Sequence, residues 1–129
     1  MNTEDYLFVY MHSLRIIREN APCAEKDVID KIVINKKFKE IFYKYGIETI
    51  KREIEIIFQN MISDGVVVGK MTKPQFIFQR VTTDGYKLLE AKEDKTTWNR
   101  VVDSVKKEAP LMVASEFVKQ IILRVFNLF

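Results

Sequence analysis

The chain has 129 residues, 47% of them hydrophobic and 30% charged, with a formal net charge of +3. That is the size of one domain with apolar mass for one core, and 4 Gly with 3 Pro exclude a linker-rich or collagen-like chain. One cysteine, Cys23, excludes an internal disulfide and a multi-cysteine zinc site, and one histidine, His12, excludes every two-histidine metal motif. Cys23 reads as a small packing residue of a reducing compartment, and His12 as a helix-surface or packing residue. The opening Met1-Asn2-Thr3-Glu4-Asp5 is polar and acidic, which predicts no signal peptide. No stretch approaches the roughly 18 apolar residues of a membrane span. A cytoplasmic protein without a membrane or cofactor partner is the expectation. Asp64-Gly65-Val66-Val67-Val68-Gly69 lacks the third glycine of a phosphate loop and precedes a strand. No nucleophile–base or metal set can be assembled from the motifs, so an enzyme is not expected.

The first periodic segment runs from Glu4 to Asn20. Leu7, Tyr10, Met11, Leu14 and Ile17 keep helical spacing, with Thr3 as the expected N-cap. Phe8, Val9 and Ile16 lie off that stripe, which predicts a helix buried on more than one side. Ala21-Pro22 ends it. Residues 24–45 read as one or two short helices, with a break at Asn35-Lys36-Lys37 and a stop at Gly46. Ile47 to Ser63 is the clearest helix. Ile47, Ile50, Ile54, Ile57, Phe58 and Met61 share one side, and Glu48, Arg52, Glu55, Gln59 and Ser63 the other.

After Asp64-Gly65 the period changes to two. Val66-Val67-Val68 and the alternating Phe76 and Phe78 predict two strands, joined by a tip at Lys70 to Pro74. Thr82-Thr83-Asp84-Gly85 opens a further helix with Tyr86, Leu88 and Leu89, continued by Trp98, Val101, Val102 and Val105. Lys92-Glu93-Asp94-Lys95 reads as a solvated helix face. Beyond Pro110, the segment Leu111 to Phe129 is a helix with 13 apolar residues in 19. Leu123 and Phe126 fall on or near its polar side, which suggests a helix covered on both faces.

The expected class is mainly α with a small β-hairpin. The order of helices, long third helix and hairpin resembles the winged-helix family. The residues that carry the resemblance are Ile50, Ile54, Ile57 and Met61, then Asp64-Gly65-Val66-Val67, the hairpin, and Val81 through Leu89 with its T-x-x-G-x-x-x-L opening. Thr97-Trp98-Asn99-Arg100-Val101-Val102 and the last helix are similar to small winged-helix proteins of bacteria and prophages that carry no established activity. More loosely the layout resembles PadR- and MarR-type regulators, whose additional helices build a dimer. The resemblance implies a winged helix-turn-helix domain over residues 1–90 and a helical extension over 91–129 for packing or oligomerisation.

In winged-helix regulators the third helix enters the major groove and the wing touches phosphate. Here residues 66–82 carry a net +3 and residues 23–46 a net +2, while residues 47–65 carry a net −2. The candidate DNA contacts are Lys36, Lys37, Lys51, Arg52, Gln59, Lys70 and Lys73. Arg52 suits a guanine and Gln59 an adenine, but Glu48 and Glu55 oppose phosphate. Wing lysines serve equally to block edge-to-edge strand pairing. The candidate oligomer interface is Phe117, Ile121, Leu123, Val125 and Phe126. Two readings stay open: a dimeric DNA-binding regulator, and a protein-interaction module or assembly subunit that binds no DNA.

Overall fold

The computed structural model describes residues 1–72, 75–108 and 110–128. Helix α1 (Thr3–Asn20) is its central element. Its N-cap is Asn2 rather than Thr3. Asn2 is extended, Thr3 is already helical, and the Asn2 side chain accepts from the Asp5 N–H at 2.8 Å. Val9, Tyr10, Leu14, Ile16 and Ile17 are all buried, so α1 is enclosed on more than one side, as its off-stripe apolar residues predict. Two tyrosines lock it to a later helix, α4 (Ile47–Ser63). Tyr6 Oη accepts from Asn60 Nδ2 at 2.8 Å, and Tyr10 Oη donates to Asp64 Oδ2 at 2.8 Å.

The chain leaves α1 through a cis Ala21–Pro22 bond into a two-residue strand, β1 (Cys23–Ala24). Helix α2 (Glu25–Ile32) begins where Asp27 Oδ2 accepts from the Ala24 N–H at 2.9 Å. The predicted break is real: Asn35 caps α3 (Lys36–Tyr45) by accepting from the Phe38 N–H at 3.0 Å. Gly46 separates α3 from α4, whose bounds are those the sequence predicts. Ile50, Ile54, Ile57, Phe58 and Met61 are buried, but Ile47, from the same stripe, is 53% exposed. Gly65 turns the chain after α4 at φ +77°, a conformation that only glycine adopts freely.

Strands β2 (Val67–Thr72) and β3 (Gln75–Val81) form the hairpin, and the antiparallel sheet has the order β1-β3-β2. Three strands are therefore present where the sequence predicts two. β1 has no alternation of its own and exists through Cys23 facing Phe78 and Ala24 facing Ile77. β2 continues through Lys70, Met71 and Thr72, which were expected in the tip; Lys73 and Pro74 lie outside the described residues. The hairpin folds back along α4. The Phe76 and Phe78 rings meet Phe58 edge-on, at centroid distances of 6.1 and 5.2 Å.

Thr82 fastens the end of the hairpin. Its N–H donates to the Val66 carbonyl at 3.0 Å and its Oγ1 to the Gly65 carbonyl at 2.7 Å. The same oxygen accepts from the Gly85 N–H at 3.0 Å, capping α5 (Thr83–Glu93). Gly85 is buried so closely under the strands that a Cβ there would overlap the Val66 carbonyl and Val81 Cγ1. The helix does not continue unbroken through Trp98. Asp94 stops it, and its carboxylate accepts from the Thr97 N–H at 3.2 Å and Thr97 Oγ1 at 2.9 Å, opening α6 (Lys95–Glu108). The cluster at Lys92 to Lys95 is thus a helix junction rather than one solvated face.

Helix α7 (Ala114–Leu128) starts after Leu111, not at it, and packs on α1, α5 and α6. Phe117, Ile121 and Val125, expected at an oligomer interface, are buried in the chain's own core at 2%, 0% and 0% exposure. Their apolar face is filled by α1 and α5, so it is not left open for a second molecule. Phe126 is half-buried against the same core, and Leu123 stands exposed instead of covered. The core is continuous, since Trp98, Val105 and Ile121 join the cluster that holds Tyr10, Ile57 and Phe78. Helices α6 and α7 accordingly share the core of α1, α4 and the hairpin. No helix among the described residues is long and apolar enough to cross a membrane.

Candidate nucleic-acid interface

The sequence candidates fall on three separate surfaces. Lys51, Arg52 and Gln59 are exposed on α4, the first two in its N-terminal half. Lys70 is exposed on β2, opposite Ile77, in the half of the hairpin that folds back along α4 through Phe76. Lys36 and Lys37 are exposed at the start of α3. Lys73 lies outside the described residues.

Lys37 does not join α4. Its Nζ lies 4.8 Å from the centroid of the Phe8 ring on α1. Phe8 and Tyr6 are two residues apart on a helix of 3.6 residues per turn, so they project on different sides. Tyr6 meets α4 through Asn60, whereas Phe8 with Lys37 points elsewhere. The candidates on α4 are therefore Lys51, Arg52 and Gln59, and Lys70 is on the adjoining hairpin, paired with Ile77 on the sheet face opposite to Phe76.

Among the described residues, none of Lys36, Lys37, Lys51, Arg52 and Lys70 forms an ion pair. The described pairs use other groups: Lys44 with Asp5 at 3.0 Å, Lys106 with Glu4 at 3.2 Å, Arg18 with Glu93 at 3.8 Å, the N-terminal amine with Glu53 at 3.7 Å, and Arg124 with Glu108. Lysines and arginines without a carboxylate partner are free to meet an external anion. Glu48 and Glu55 are exposed on the same helix, so the face is mixed in sign. Glu25, at the start of α2, has its pKa raised by burial and further by Glu55, with a Phe76 N–H bond acting the other way.

Beside the α4 cations lies a feature that no sequence motif announces. An apolar groove of about 410 Å³ opens between α2, α3 and α4. Ile29, Phe42, Ile47, Ile50 and Ile54 line it, and Lys51 and Glu55 stand at its edge. Ile47 is exposed into this groove. Tyr43 of α3, at 84% exposure, extends the apolar surface beside Val33 and Phe42. The only sequence signal was a stripe one residue wider than the core needs.

No group of metal-ligating side chains occurs among the described residues. Comparison with protein-family models, with curated proteins and with solved structures finds no match to this chain.

Proposed function

We propose that the chain is a winged-helix protein that binds double-stranded DNA through α4 and the β2–β3 hairpin. The order of helices, long α4 and hairpin folded back along it supports the winged-helix reading. The observation that carries DNA binding is electrostatic: Lys51, Arg52 and Lys70 are exposed and free of ion pairs among the described residues, on two elements held together by the Phe58–Phe76 contact. Arg52 and Gln59 are the base-reading candidates, and Lys51 and Lys70 the phosphate contacts. In the regulator form of this reading two copies associate, and Leu123 at 54% exposure is the interface candidate that the fold leaves open. The test is duplex binding by the triple variant Lys51→Gln/Arg52→Gln/Lys70→Gln. The magnitude of its salt slope should fall by about two, one for each of the phosphate contacts Lys51 and Lys70. An unchanged slope contradicts the proposal.

A second reading, a protein-interaction module, is favoured by the apolar groove beside α4. In that reading Ile47 and Tyr43 contact a protein and the neighbouring charges are rim groups. Ile47→Ser separates the two: it weakens association with a protein partner by removing an apolar contact and leaves duplex affinity within about twofold, since it adds no charge beside Lys51.

A further inference from the structure

A second cluster of cations lies on a different side of α1 from the Tyr6–Asn60 and Tyr10–Asp64 bonds. Phe8, His12 and Arg15 occupy one strip of α1 by their spacing of four and three residues. Together with Lys92 and Glu93 from the end of α5 they line a cleft of about 80 Å³. That is room for two or three waters, or for one tetrahedral oxyanion. The Phe8 and His12 rings are stacked at 5.4 Å, and the Lys37 ammonium covers Phe8 from α3 at 4.8 Å. The Lys92 ammonium lies 5.6 Å from the Trp98 ring centroid, half-buried.

The charges in this cleft are not balanced by the chain. Among the described residues, neither Arg15, Lys37 nor Lys92 forms an ion pair. Glu93, the acid at the cleft, is engaged by Arg18 at 3.8 Å. The remaining acids nearby are Glu19, one turn beyond Arg15, and Asp5, which lies within reach of the Lys37 charge but is engaged by Lys44 at 3.0 Å and Tyr45 at 2.8 Å. Burial lowers the pKa of Lys92, and the fields of Arg15, Lys37 and Lys95 lower it further. Two segments far apart in sequence thus bring Arg15 and Lys92 into one small concavity, with Lys37 from a third over its Phe8 wall, an arrangement that a bound anion stabilises.

We infer that Arg15, Lys92 and Lys37 form a phosphate-binding site on this face of α1, separate from the α4 and hairpin surface. The ligand is a phosphate group. The guanidinium of Arg15 and the ammonium of Lys92 donate to its oxygens, and Lys37 closes the site from α3. The group belongs either to a small molecule, such as free phosphate or a mononucleotide, or to a nucleic-acid backbone. The inference does not depend on DNA binding by α4.

The experiment is calorimetric titration of the whole chain with inorganic phosphate, then with a nucleoside monophosphate and with a DNA duplex, at low ionic strength. Trp98, the single tryptophan of the chain, gives a second readout because its ring is capped by Lys92. Saturable phosphate binding with a change in Trp98 emission is expected. Arg15→Gln and Lys92→Met should each weaken it by about tenfold or more, because each removes a charge-assisted donor. Lys51→Gln/Arg52→Gln should leave it unchanged. If the two cluster variants also weaken the duplex, the phosphate is that of a nucleic-acid backbone; if they weaken only the small ligands, it is free. The absence of saturable phosphate binding up to about 10 mM, a concentration that saturates a site of millimolar affinity, overturns the inference, and so does equal binding by both cluster variants. Loss of duplex binding in the α4 variant alone bears only on the α4 proposal.

Discussion

The Tyr10 hydroxyl donates to Asp64 Oδ2 at 2.8 Å, joining the middle of α1 to the residue that caps α4. Tyr10 is fully buried, and burial of Asp64 pushes its pKa up while the Tyr10 bond and Lys119 pull it back. The bond therefore serves two groups that each need it. Tyr10→Phe should cost about 1–2 kcal/mol, and Asp64→Ala about 1–3 kcal/mol because it strands a buried hydroxyl. Asp64→Asn keeps an acceptor and removes a desolvated charge, so it should be neutral or stabilising at pH 7. Urea denaturation of the three variants checks this order.

Two aspartates shift in opposite directions, and their pH signatures differ in sign. Asp64 is raised above 3.8, so its contribution is fully present below its unfolded value and is lost as pH rises through the folded one. For Asp5, burial acts upward, but bonds from Lys44 at 3.0 Å and Tyr45 at 2.8 Å outweigh it and hold the pKa below 3.8. Its contribution is present at neutral pH and is lost as pH falls through the folded value. Asp5→Asn should lower the melting temperature at pH 7 and remove part of the acid lability below pH 3.8. Asp64→Asn should remove the gain on acidification. Thermal melts from pH 2 to pH 7 read both.

Gly85 carries the packing that joins α5 to the strands. Gly85→Ala puts a methyl group into the Val66 carbonyl and should destabilise by about 1–3 kcal/mol. Thr82→Ala removes the helix cap and the bond to Gly65, at about 1–2 kcal/mol. The loss on Thr82→Ser should be much smaller, because serine retains the hydroxyl.

Ser13 lies wholly buried in α1, and its Oγ has no hydrogen-bond partner among the described residues. Ser13→Ala should stabilise by up to about 1 kcal/mol, since it removes an unsatisfied buried hydroxyl without changing shape. Ser13→Leu should destabilise by overpacking. Cys23, 9% exposed, has its thiol pKa raised by burial and by Asp27. Its alkylation at pH 7 should be at least about tenfold slower in the folded chain than after unfolding.

The helices and the hairpin were legible because periodicity reports burial, and α4 was read to the residue. What was missed depends on partners far away in sequence. β1 is a strand only because β3 lies beside Cys23 and Ala24. The stop at Asp94 was hidden by a charge cluster compatible with either a surface or a cap. Phe117, Ile121 and Val125 read as a surplus apolar face because periodicity cannot say whether the cover comes from the same chain. The same blindness concealed the groove: Ile47 sits on the core stripe of α4, but half of it is left exposed at the cavity it shares with Phe38 and Phe42 of α3. Arg15 and Lys92 belong to no motif, and their meeting is a product of the α1–α5 packing.

DNA binding by α4 and the hairpin is tested most directly by the fluorescence anisotropy of a mixed-sequence duplex titrated with the unmodified chain at about 50 mM and about 200 mM salt. With the four phosphate contacts that Lys51 and Lys70 supply in a complex of two copies, affinity should fall by roughly a hundredfold between the two. Absence of binding at the lower salt, or binding indifferent to salt, would contradict the account.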